Sequence, residues 1–111
     1  MKHISFANKS MLVGDELAYV LLEYWAMLAE RAEADLVEVR VLDSDGAVSS
    51  ETVPLEAAVP LRMRSASLPF GEPDNADALA YLRRRIWSMT SPPWALPQPT
   101  SLSHYYEAFN L

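Results

Sequence analysis

Leu36-Val37-Glu38-Val39-Arg40-Val41-Leu42-Asp43-Ser44-Asp45-Gly46 decides how this chain folds. Val37, Val39 and Val41 alternate with Glu38 and Arg40, the two-residue period of a strand with one face in the core. Asp43-Ser44-Asp45-Gly46 then reads as a tight turn in which Gly46 supplies positive φ. A hairpin partner follows over Ala47 to Leu55, with Val48, Val53 and Leu55 apolar. Pro54 has no N–H to give a ladder, so this second strand needs an unpaired side or a bulge there. Two strands joined by so short a turn are antiparallel.

Working toward the N-terminus, Asp15 to Ala34 has helical spacing. Leu17, Leu21, Tyr24 and Leu28 mark one face, and Ala18, Leu22, Trp25 and Ala29 another. Asp15 is placed as its N-cap, with Glu16 favouring the helix dipole. A helix apolar over so much of its circumference is buried on more than one side. Before it, His3 to Ala7 reads as a short strand.

Toward the C-terminus, Leu61 to Ser65 is again extended, with period two. Leu68 to Asp74 is a linker punctuated by Pro69, Gly71 and Pro73. Asp74-Asn75-Ala76-Asp77 opens a second helix in a capping-box-like arrangement, with Leu79, Leu82, Ile86 and Met89 as its apolar stripe. Pro92-Pro93 ends it. The class is therefore α+β: a small antiparallel sheet, in the order β-α-β-β-β-α, with helices on one face. Residues 1–90 read as one domain and 91–111 as a proline- and aromatic-rich tail, with Ser101 or Ser103 placed to cap a short final helix.

That tail holds Trp94, Tyr105, Tyr106 and Phe109 but a single charge, Glu107. Solvated tails are normally charged and poor in aromatics, so this one is expected to dock on its own domain or on a partner. With Tyr24 and Trp25 of the first helix, those four aromatics are the candidate interface residues, since aromatics dominate hot spots.

The chain of 111 residues carries a net charge of −6 and no cysteine. Disulfides, thiolate metal sites and a cysteine nucleophile are thereby excluded. Eleven of the fifteen acids lie in the first 56 residues. Overall acidity argues against duplex nucleic acid, whose binding rests on neutralised phosphates. Arg83-Arg84-Arg85 is the one run of bases, and Arg62 with Arg64 shares a strand face. Arg62, Arg64, Arg83 and Arg84 form a candidate anion patch, against the plainer reading of solvated charges paired with the acidic half.

Other motifs reduce to ordinary features. His104 and Glu107 have helical ligand spacing, but a zinc site wants three or four ligands. Asp43 to Gly46 lacks the remaining ligands of a calcium loop. Asn8-Lys9-Ser10 matches a glycosylation acceptor, which has no use without secretion. Glu30, Glu33 and Asp35 read as solvated acids near a helix end. No phosphate-cradling glycine loop or nucleophile elbow occurs, and no cofactor is implied.

The longest apolar-rich run, Leu17 to Ala29, is too short to span a bilayer, which needs about 20 residues. The start lacks a secretory pattern, so a cytoplasmic protein away from membranes is the default expectation. The functional expectation is a noncatalytic protein-interaction domain of inhibitor, immunity, chaperone or accessory-subunit type, self-associating as a homodimer. The alternatives are a small-molecule binder with an apolar pocket between sheet and first helix, lined by Tyr24, Trp25 and Trp94, or a structural monomer.

Overall fold

The structure is a computed structural model and describes residues 1–91. Seven elements follow in order: β1 (Lys2–Phe6), β2 (Lys9–Val13), α1 (Asp15–Glu30), β3 (Asp35–Leu42), β4 (Val48–Leu55), β5 (Arg62–Ser65) and α2 (Ala76–Thr90). The strands form one antiparallel sheet in the order β4-β3-β2-β1-β5. The α+β class and the antiparallel sheet are as the sequence indicates, with one strand more than expected.

That extra strand is β2. It pairs with β1 through a two-residue turn, Ala7-Asn8, whose φ values of 47° and 65° are both left-handed. Such a turn matches the twist of a hairpin but usually carries Asn-Gly. The strand itself hides its period. Met11, Leu12 and Val13 are all buried because Leu12, paired with Leu42, is covered on the sheet face opposite the helices.

The core lies between the sheet and the two helices. Ile4, Phe6, Met11 and Val13 from β1 and β2, and Val37, Val39, Val41, Val53 and Leu55 from β3 and β4, face Leu17, Ala18, Leu21, Tyr24 and Leu28 of α1. The α1 residues follow helical spacing along one stripe, and α2 adds Leu82. The second side of α1 is covered less completely. Trp25 donates its indole N–H to the carbonyls of Glu56 (2.9 Å) and Val59 (3.0 Å), which fastens the β4–β5 loop to the helix.

Helix ends depart from expectation in informative ways. Gly14, not Asp15, is the α1 N-cap; Asp15 instead pairs with the Met1 ammonium at 2.8 Å. The helix stops at Glu30 rather than Ala34. Ala32 adopts φ 54°, and Glu33 and Ala32 return N–H bonds to the carbonyls of Leu28 and Ala29. This is the double bond pattern of a Schellman stop, built here without glycine.

The linker after β5 crosses from one edge of the sheet to the other. Phe70 lies where a β-carbon on Gly46 would meet it at 2.7 Å, and Glu72 fills the same place beside Gly14. Gly46, at φ 90°, therefore serves both the turn and this close approach. The linker delivers α2 to the inner side of β3.

Candidate functional site

The site arises where β2 runs out. Pairing of Leu12 with Leu42 is the single registered contact between β2 and β3; beyond it the chain turns at Gly14 into α1. β3 continues back to Asp35, fully registered with β4 on its other side from Asp35↔Leu55 to Leu42↔Val48. Successive residues of an antiparallel strand aim their backbone groups to alternate sides. Arg40 aims its pair away from β4, because both groups are bound elsewhere. So do Leu36 and Glu38.

What binds Arg40 is one amide side chain. Its N–H donates to Asn75 Oδ1 (2.7 Å), and Asn75 Nδ2 donates to its carbonyl (2.8 Å). Asn75 thus imitates one residue of a missing strand. It is the N-cap of α2 but makes no side-chain cap; Asp74 Oδ1 takes the Ala76 N–H instead, at 3.0 Å. The expected Asp74 capping box is therefore not formed. With 9% of its surface exposed, Asn75 is the one buried polar residue among those described.

Past Asn75 the edge is open. The Leu36 N–H is taken by Asp35 Oδ1 at 2.8 Å. The Leu36 carbonyl and both backbone groups of Glu38 have no hydrogen-bond partner among the described residues. Between this edge and α2 lies a cleft of about 250 Å³ lined by Leu36, Val37, Glu38, Asp77, Ala78 and Tyr81. A second cleft of about 310 Å³ adjoins it at Glu38, Asp77 and Ala78 and extends to Arg40, Ser50 and Asp74. Leu36, 67% exposed, is the most exposed large apolar residue described.

A polar cluster closes the far end. Asp35 Oδ2 accepts hydrogen bonds from Tyr24 of α1 (2.6 Å) and Tyr81 of α2 (2.5 Å), and Arg85 Nε donates to the Tyr24 hydroxyl at 3.2 Å. Burial works against the Asp35 charge. The two hydroxyls, the Leu36 N–H and Arg85 together outweigh it and hold the carboxyl below its usual range. Burial, with Asp35 adding to it, pushes the Tyr24 and Tyr81 hydroxyls up. Arg85 opposes that rise without cancelling it. At neutral pH the cluster is a carboxylate clasped by two neutral phenols. It suits holding β3, α1 and α2 together rather than moving protons.

The residues singled out from sequence fall in scattered places. Tyr24 is wholly inside, so it cannot anchor a contact with another molecule. Trp25 is half-buried and occupied by the β4–β5 loop. Trp94, Tyr105, Tyr106 and Phe109, the His104–Glu107 pair and the capping serines lie outside the described residues. Arg62 and Arg64 sit on edge strand β5 and flank Met63, which packs on the core; they face away from the helices. Arg83 pairs with Glu16 of α1, and Arg84 is exposed. The expected four-arginine patch is thus divided between opposite faces of the sheet.

Asn75 and the Asp35 cluster are the residues that sequence reasoning passes over. Asp35 did carry a signal. It shares the parity of Val37, Val39 and Val41, which places it on the core side of β3, where a carboxylate needs donors. Asn75 carried none, because its partner lies 35 residues away.

No family model, curated protein or solved structure matches this chain. Among the described residues no group of three or more His, Asp or Glu is placed to hold a metal, and no helix is long and apolar enough to cross a membrane.

Proposed function

We propose that this is a noncatalytic protein-interaction domain, acting in the cytoplasm, that takes an extended segment of another polypeptide onto the open edge of β3. One observation carries the reading: β3 outruns β2, and the backbone of Leu36 and Glu38 faces a cleft instead of a strand. An added strand gains main-chain hydrogen bonds from such an edge, while flanking pockets select its side chains. The cleft beside α2 supplies those pockets. The apolar pocket expected between sheet and α1 has less support, since Tyr24 fills the core there and Trp25 is tied to the loop.

A peptide-display selection tests the reading. Glu38→Pro deletes the outward N–H, and the ladder to β4 survives because it uses the other parity. Extended sequences enriched by the wild type and lost with Glu38→Pro are the expected result. Equal enrichment by both proteins overturns the proposal.

Self-association is the second reading. β4 lies at the sheet edge with no strand beyond it among the described residues. Pro54 blocks its end, and the outward groups of Val48, Ser50 and Thr52 remain for pairing with a second copy. Light scattering decides: a concentration-dependent dimer that persists in Glu38→Pro favours the β4 edge, and a monomer removes it.

A further inference from the structure

We infer that the outer face of the β5-β1-β2 half of the sheet binds a phosphate group, free or as a terminal monoester. The site is separate from the β3 edge. These three strands hold Lys2, Lys9, Arg62 and Arg64 and no acid, in a chain whose net charge is −6. The two lysines share the helix side with Ile4 and Met11 and are engaged there. Lys2 donates to Ser65 Oγ at 2.9 Å, and Lys9 pairs with Glu51 at 3.5 Å. Arg62 and Arg64 take the other side, exposed and without an ion pair among the described residues. Arg31, Arg83 and Arg85 all have partners. Arg40 and Arg84 do not, but they stand on β3 and α2. Arg62 and Arg64 are thus the two unengaged cations that share one strand face.

Register surrounds them with donors. Arg64 lies opposite His3, Arg62 opposite Ser5, and Ser5 opposite Ser10. Directly opposed residues share a face, as the 3.4 Å bond from Ser5 Oγ to Ser10 Oγ shows for one pair. The two arginines are roughly 7 Å apart along β5 and roughly 5 Å from the residues opposite. His3 Nδ1 is shut off from solvent without a partner, which leaves Nε2 as the nitrogen offered outward. Two guanidinium forks can flank one tetrahedral anion and leave its remaining oxygen to a hydroxyl or the imidazole. A phosphate monoester carries about 1.5 to 2 negative charges near neutral pH, which matches two arginines where a carboxylate matches one. A long nucleic-acid strand would run from this patch onto a chain richer in acids than bases, so a compact anion fits better.

Titration of the full chain with phenyl phosphate at constant ionic strength, followed through its backbone amides, tests the inference. Saturable shifts at His3, Ser5, Ser10, Arg62 and Arg64 are expected, with β3 unmoved. Dimethyl phosphate, which carries one charge, is expected to bind about fivefold more weakly. Inorganic phosphate binding as tightly as phenyl phosphate assigns the site to the free ion, and weaker binding assigns it to the ester. The double variant Arg62→Gln, Arg64→Gln is expected to abolish the shifts, and Arg84→Gln to leave them intact. Arg62→Lys, Arg64→Lys keeps the charge on the edge strand and should still weaken binding, because the forks are lost. Shifts that do not saturate, or that persist in the double glutamine variant, overturn the inference. So does tighter binding of a short single-stranded oligonucleotide at the same amides, which would make this a nucleic-acid face.

Discussion

The two halves of this sheet are built to different standards of closure. In the β5-β1-β2 half every strand lies against a neighbour along most of its length, and its turn and pairings run without a break from Lys2↔Val13 to Phe6↔Lys9. In the β3–β4 half the outer seam is complete, but the inner seam is registered with β2 only at Leu12↔Leu42. The second half is held by side chains instead: Asn75 on the Arg40 backbone and Asp35 between two tyrosines. Backbone ladders close a sheet against all comers. Side-chain substitutes hold it while leaving strand edge between them, and here that edge is Leu36 to Glu38.

Breaking the substitutes should therefore cost more than their size suggests. Asp35→Ala leaves the buried Tyr24 hydroxyl without an acceptor and unties α1, β3 and α2. We expect a loss of about 2–3 kcal/mol in denaturant unfolding, the range for hydrogen bonds to a charged group. A loss under about 0.5 kcal/mol, the level of an ordinary surface change, would mean that the cluster does not hold the hairpin. Asn75→Ala removes both bonds to Arg40, for about 1–2 kcal/mol. It should also speed exchange of the Arg40 amide while leaving the Val37 and Val39 amides protected. If all three change together, the hairpin and α2 open as one unit and the distinction between ladder and substitute fails.

The pH dependence sharpens the comparison, because only the side-chain-held half titrates through this cluster. Asp35 lies below its ordinary value in the folded chain, so its contribution is present above the unfolded carboxyl value of about 4 and is lost as pH falls through the lowered folded value. Tyr24 and Tyr81 are raised. Their contribution is complete below the unfolded phenol value of about 10 and is lost as pH climbs through the folded values. Stability from the cluster is thus flat between those limits. Tyr81→Phe should flatten part of the alkaline fall seen by chemical denaturation above about pH 10; an unchanged slope would assign that fall to other groups.

The smallest effects lie in the turns. Ala7 and Ala32 hold φ values of 47° and 54°, a region that costs an L-residue roughly 1–2 kcal/mol and glycine nothing. Ala32→Gly should stabilise by about 0.5 kcal/mol after the unfolded-state entropy of glycine is subtracted, read as a higher denaturation midpoint. Destabilisation would show that the alanine methyl packs usefully. Ala7→Gly should act alike in the closed half.

These same residues explain how much of the fold was legible. The β3–β4 hairpin stood out because its valines alternate and its turn ends in Gly46. β2 did not, since Ala7-Asn8 carries no glycine and Leu12 is buried from the wrong side, which erases the alternation. Both helices are visible in the spacing, but the pattern carries α1 on to Ala34, four residues past its end at Glu30, because Ala32 does the work of a stop usually given to glycine. The open edge was out of reach for another reason. It depends on where β2 ends relative to β3 and on Asn75 meeting Arg40, and neither is local. Of its parts only Asp35, on the buried parity of its strand, could have been suspected.

Amide hydrogen exchange along β3 of the free full-length chain tests the open edge most directly. The expected pattern is alternation interrupted once: Val37, Val39 and Val41 protected by β4, Arg40 protected by Asn75, and Glu38 exchanging fast. A Glu38 amide as slow as Val37 in the free protein would mean that the edge is already occupied, and would contradict the claim that it is open to a partner.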